Sequence, residues 1–174
     1  MPNLSYNDGE FRFFSLGKEI RVTYPGLAVS PSLTAWYLLT LLHYLDLTDG
    51  TPLTGMQMNF SDYREGMVRG GGFDRDAESI IQNKLGLMEE SVLIQRCLSS
   101  GAHIVDSNAD LCMRFDFVPQ YPIWLRMWFA DEVFPASGRM LVDEAAHHYL
   151  TVEDAVTAGS LVFDLLTSSD DLQG

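Results

Sequence analysis

A chain of 174 residues, 47% apolar and 20% charged, has the length and composition of one globular domain, which excludes a disordered or fibrous polypeptide. Its formal net charge of −13 repels phosphate backbones and anionic membranes, so neither nucleic acid nor a membrane is an expected partner. No signal-peptide pattern opens the chain, and its two cysteines, Cys97 and Cys112, are expected to be reduced and buried in a cytoplasmic protein.

Two runs rich in Phe, Ile, Val and Tyr, Glu10 to Leu16 and Glu19 to Tyr24, flank Gly17-Lys18 and predict an opening β-hairpin. Ser30-Pro31 then places a capping hydroxyl before a proline, a start signal for an apolar helix carrying Trp36, Leu38, Leu41, Leu42 and Leu45. The apolar run from Leu33 to Leu47 is too short for a bilayer and reads as a buried helix, stopped by Asp49-Gly50-Thr51-Pro52. Met56 to Phe60 is a short candidate strand. Gly70-Gly71-Gly72 lacks the Gly-Lys-Ser/Thr ending of a phosphate loop, and predicts a flexible loop or a close approach of two backbones. Phe73 to Leu85 and Glu89 to Ser99 have helical spacing, with Ile80, Ile81, Leu85, Val92, Leu93 and Cys97 inward.

After Gly101 the period changes to two. Leu111, Met113, Phe115 and Phe117 alternate with Cys112, Arg114 and Asp116, as in a half-buried strand. Tyr121 to Phe129 follows with Arg126 as its single charge, and Pro119 and Pro122 predict an edge or a turn at its start. A turn at Ser137-Gly138 precedes a strand from Arg139 to Val142, and two helices close the chain. The expected fold is therefore α+β, a mainly antiparallel sheet with helices packed against it. Residues 1–174 form a single domain, with loose tails at 1–8 and 168–174.

The densest polar cluster comprises Asp131, Glu132, Asp143, Glu144, His147, His148, Glu153 and Asp154. Carboxylates and imidazoles together can ligate a metal or exchange protons. Capping accounts for part of the cluster, since Asp143 precedes a helical stretch and Thr151-x-x-Asp154 is a capping signal. His147 and His148, adjacent on a helix, are expected to diverge by about 100°. His43 reads as a hydrogen-bonded boundary histidine, and His103 has no evident partner. The aromatic residues Trp124, Trp128, Phe129 and Phe134 either pack in the core or line a pocket. Asp131 and Glu132, before Pro135, are expected to hold a turn rather than a cation. Candidate ligand-binding residues are Trp128, Asp131, Glu132, Phe134, Asp143 and His147. No catalytic residue, metal ligand or cofactor is assigned, because two cysteines fall short of a cluster or zinc ligand set.

Several segments together resemble an uncharacterised bacterial and archaeal family, domain of unknown function 3786. They are Leu38 to Leu45, Asp49 to Gly55, Phe60 with Gly66, Pro119 to Pro122, Asp131 to Pro135, Leu141 to Asp143, and Tyr149 to Asp154. The family pattern carries Trp-Ile-Ser-Phe where this chain has Gln57-Met58-Asn59-Phe60, which removes any role tied to that tryptophan. The resemblance implies one fold unit in a bacterial cytosol. Relatives with an added cysteine-rich domain, like that of corrinoid iron–sulfur proteins, imply a link to one-carbon or corrinoid metabolism.

The expected function is a non-catalytic binding or accessory domain that offers a pocket or surface to a small molecule or protein partner. The rival expectation is a metal-assisted hydrolase or lyase built on Asp131, Glu132 and a nearby imidazole such as His147. A homodimer is compatible with either.

Overall fold

Asp8-Gly9 and Leu16-Gly17 take left-handed backbone, and these two-residue turns fold the start of the chain into an antiparallel meander. The structure, a computed structural model, describes residues 4–168. The meander pairs β1 (Ser5–Asn7), β2 (Glu10–Ser15), β3 (Lys18–Thr23) and β4 (Val29–Ser30) in that order. The hairpin turns at Leu16-Gly17, one residue earlier than the sequence suggests. Leu16 accepts a left-handed φ of 47° because its side chain is buried and its N–H donates to Asp116 O at 3.0 Å, across to the second sheet. Residues 5–8, expected as a tail, form β1 and its turn, with the Tyr6 and Phe11 rings 4.7 Å apart. The expected tail residues 1–3 and 169–174 lie outside the described residues.

The second sheet is also antiparallel, in the order β5 (Gln57–Met58), β9 (Ser137–Asp143), β8 (Tyr121–Trp128), β7 (Leu111–Val118), β6 (His103–Ile104). The α+β fold holds, with the strands divided between two sheets. Alternation along β7 carries through: Leu111, Met113, Phe115 and Phe117 are buried in the main core. Cys112 is buried as well, on the opposite face, in a small cluster with Trp124 and Leu141. The segment from Tyr121 is a central strand, and it begins at the turn Pro119-Gln120, in keeping with the edge or turn that the prolines suggest for its start. Pro122 pairs with Asp116 beside a bulge, and pairing with β9 begins only at Ile123, so the missing N–H breaks no ladder. Gly138 likewise stands inside β9, where a Cβ would lie 2.2 Å from Arg126 O and 3.1 Å from Ile81 Cγ2.

Among the described residues four helices cover the sheets: α1 (Ala35–Leu47), α2 (Arg69–Asn83), α3 (Glu90–Ser99) and α4 (Val152–Thr167). Helix α2 lies on β9, and α4 packs against the other three. Helix α1 starts four residues after Pro31, which follows β4, and Thr34 is its N-cap residue. It is not buried all round. Leu41 and Tyr44 face the core, whereas Trp36, Leu39 and Leu47 are exposed because α1 forms an outer layer over α4. Leu41→Ala should therefore cost about 3 kcal/mol in urea denaturation, and Leu39→Ala well under half of that. Equal losses at the two positions would place α1 differently.

The glycine triplet is not a loop but the first turn of α2. A Cβ at Gly70 would lie 2.0 Å from Phe60 O, so the expected close approach of backbones is real at this one member. A second close approach joins the β2–β3 turn to the connection between α3 and β6. A Cβ on Gly101 would lie 2.5 Å from Gly17 Cα, and both glycines have positive φ.

Candidate functional site

Strand β8 directs Trp124, Arg126 and Trp128 to the face of the sheet away from the helices, and β9 directs Arg139 and Leu141 to the same side. The register sets Arg126 directly opposite Arg139. Two like charges in that relation disfavour the sheet by up to about 1 kcal/mol. Among the described residues Arg12, Arg21, Arg69 and Arg114 each have a carboxylate partner within 4.0 Å, whereas Arg126 and Arg139, like Arg64, Arg75 and Arg96, have none. Arg126 donates from Nη2 to Asn108 Oδ1 at 2.8 Å, while its buried Nε has no partner. The acid that shares their cleft, Glu78, makes no ion pair with either arginine.

The pair lines a cleft of about 680 Å³, together with Trp128, Leu141, Gln57 and Glu78. Trp128 is 37% exposed, so part of its ring is open to a ligand. Strand β5 pairs only with Val142 and Asp143, which leaves the earlier half of β9 without a strand neighbour on that side. The cleft occupies this open edge. Its polar chemistry is guanidinium donors beside an aromatic face, suited to an oxyanion attached to a planar group.

Of the residues singled out from the sequence, Trp128 belongs to this cleft and the others are dispersed. Asp131 accepts from Val133 N and Phe134 N, both at 2.7 Å, and Asp131 N donates to Phe134 O, so the acid closes its own turn. Those N–H bonds from Phe134 and Val133 hold its carboxyl below the usual range. Glu132 and Phe134 are exposed on the same turn, near the mouth of the cleft whose wall includes Pro135. Asp143 sits at the other end of β9, about 20 Å along the strand. It is fully buried and accepts from Thr54 N, Thr54 Oγ1, Gly55 N and Ala145 N. His147 lies just beyond it, in the 3-10 turn Glu144–His148. Asp131, Glu132 and His147 therefore do not meet, and among the described residues no three His, Cys, Asp or Glu side chains are grouped to hold a metal ion.

Other sequence readings find their places. Thr151 caps α4 by accepting from Asp154 N, and His43 Nδ1 stands 2.7 Å from Asp154 Oδ1. Cys97 and Cys112 are buried free thiols on separate elements, and burial pushes Cys97 up to about 12. Arg139 passed without notice in the sequence, and Arg126 only as a lone charge. Their alternation with aromatic residues was visible, but the register that pairs them was not.

A family described as "Domain of unknown function (DUF3786)" matches residues 2–164. The chain belongs to the DUF3786 family. No curated protein and no solved structure matches it. Within this DUF3786 domain, Asp49 to Gly55, Leu141 to Asp143 and Tyr149 to Asp154 of the family pattern meet at the Asp143 end of β9, while Asp131 to Pro135 lies at the other end. The Asp49–Gly55 loop is held there by Asp143, by His148 Nδ1 at 2.8 Å from Asp49 Oδ2, and by Tyr149, whose hydroxyl stands between Thr51 O and Gln120 Oε1 with one hydrogen to donate. Among the described residues of the DUF3786 domain, no helix is long and apolar enough to cross a membrane.

Proposed function

We propose that this domain works in the bacterial cytoplasm as a non-catalytic binding protein for a small anionic molecule, held in the Arg126–Arg139 cleft. The observation that carries this reading is the cross-strand arginine pair left without a carboxylate, one of its nitrogens buried and unpartnered. A buried donor without a partner costs about 1 to 3 kcal/mol, which an incoming oxyanion recovers as binding energy. Trp128 supplies a face for a planar part of the ligand, so a phosphate or carboxylate joined to a ring fits better than a bare ion.

Thermal melts at low ionic strength with inorganic phosphate and with adenosine monophosphate test it. Both should raise the melting temperature, the nucleotide more at equal concentration, because a ligand that binds only the folded state stabilises it. The Arg126→Gln/Arg139→Gln double variant should lose both responses. An unchanged response in that variant, or none in the parent chain, would sink the reading.

A further inference from the structure

His147 and His148 depart from the divergence expected of adjacent helical residues. Their ring centroids are 4.2 Å apart and the planes are tilted by 41°. The cause is that His148 ends a 3-10 turn and is drawn across to the Asp49–Gly55 loop. Its Nδ1 stands 2.8 Å from Asp49 Oδ2 and 3.2 Å from Thr51 Oγ1. His147 Nδ1 is turned instead to the carbonyl of Glu144, at 3.0 Å. Carboxylate and carbonyl oxygens only accept, so in the neutral rings both Nδ1 atoms carry the hydrogen. Each lone pair is then left on Nε2, which has no partner among the described residues.

Both rings line a second cleft, of about 690 Å³, on the far side of β5 from the arginine pair. Asp62 and Glu144 line it with Arg64, two negative charges against one positive.

We propose that His147 and His148 form a two-nitrogen site for a borderline transition-metal ion, zinc or copper(II), bound through the two Nε2 atoms. Imidazoles that ligate metals are fixed in this way, the far nitrogen donating to a carboxylate or carbonyl, and neutral imidazole suits these ions. A general base needs one ring so oriented. Here two touching rings are, which favours a metal over proton transfer. Among the described residues no third side chain is grouped with them, so water or an exogenous ligand would have to fill the remaining positions, one more than in the usual open zinc site with three protein ligands.

Isothermal titration of the full chain with Zn²⁺ at neutral pH tests the site, with Mg²⁺ as the hard-ion control. One zinc per chain should bind and magnesium should not. His147→Ala, at an exposed position, and Asp49→Asn, which removes only the orienting charge, should each weaken zinc by about tenfold or more. His103→Ala should leave it unchanged, and circular dichroism will show that each variant is folded. Absence of zinc binding in the parent, or undiminished binding in the His147→Ala/His148→Ala double variant, would overturn the proposal. Either result leaves the arginine cleft standing, because the two sites rest on different residues.

Discussion

Gly70→Ala should destabilise the protein by about 4 kcal/mol or more, while Gly72→Ala, two residues along the same helix, should stabilise it by about 0.5 to 1 kcal/mol. The difference lies in what a methyl group meets. At Gly70 it would stand 2.0 Å from Phe60 O and 2.4 Å from Phe60 C, backbone atoms that no rotamer can move aside. Phe60 is fully buried, with its ring 4.4 Å from Phe73 of α2, and its N–H donates to Asp74, so parting the two backbones would dismantle a packed corner. At Gly72 nothing lies within 4 Å, and alanine only improves helix propensity. Chemical denaturation of the two variants reads the contrast directly. Losses of similar size would mean that α2 does not sit on the Phe60 backbone.

Asp143→Ala should cost about 4 kcal/mol or more, since four donors lose one buried charged acceptor. Asp143→Asn should cost about half as much. Its carbonyl can still serve Thr54 and Ala145, but the amide turns an N–H toward the Gly55 N–H. Burial alone would raise this carboxyl. The bonds from Ala145, Thr54 and Gly55 outweigh it and hold the folded value below the ordinary 3.8. A depressed folded value contributes stability that is present above about pH 4 and is lost as the pH falls through the folded value. Melting temperature followed from pH 6 to 2 should accordingly fall less steeply for Asp143→Asn than for the parent. Parallel curves would contradict this role.

How far the sequence reached can be traced through single residues. Local signals held wherever neighbours in the chain decide the outcome: the alternation of Leu111 to Phe117, the capping by Asp143 and Thr151, and the turn closed by Asp131. They failed where a distant partner decides. Pro119 and Pro122 mark the turn that opens β8, but nothing local reveals that β9 begins to pair at Ile123 and makes the rest of the strand central. The glycine triplet was legible as a close approach of backbones, which Gly70 makes, but neither its partner, the Phe60 carbonyl of another element, nor its place in a helix was. The candidate site belongs to this second kind. Arg126 and Arg139 are 13 positions apart, and only the β8–β9 register turns two ordinary surface cations into a facing pair.

The contact of Gly17 with Gly101 also governs how the molecule breathes. Where two backbones touch with no side chain between them, small slips cannot be absorbed by rotamer changes, so the meander either stays seated or lifts as a unit. The Leu16 N–H, bonded across that seam to Asp116, is shielded for as long as it stays seated. Deuterium uptake at this one amide thus clocks the parting of the two sheets, separately from the fraying of strand ends and from global unfolding.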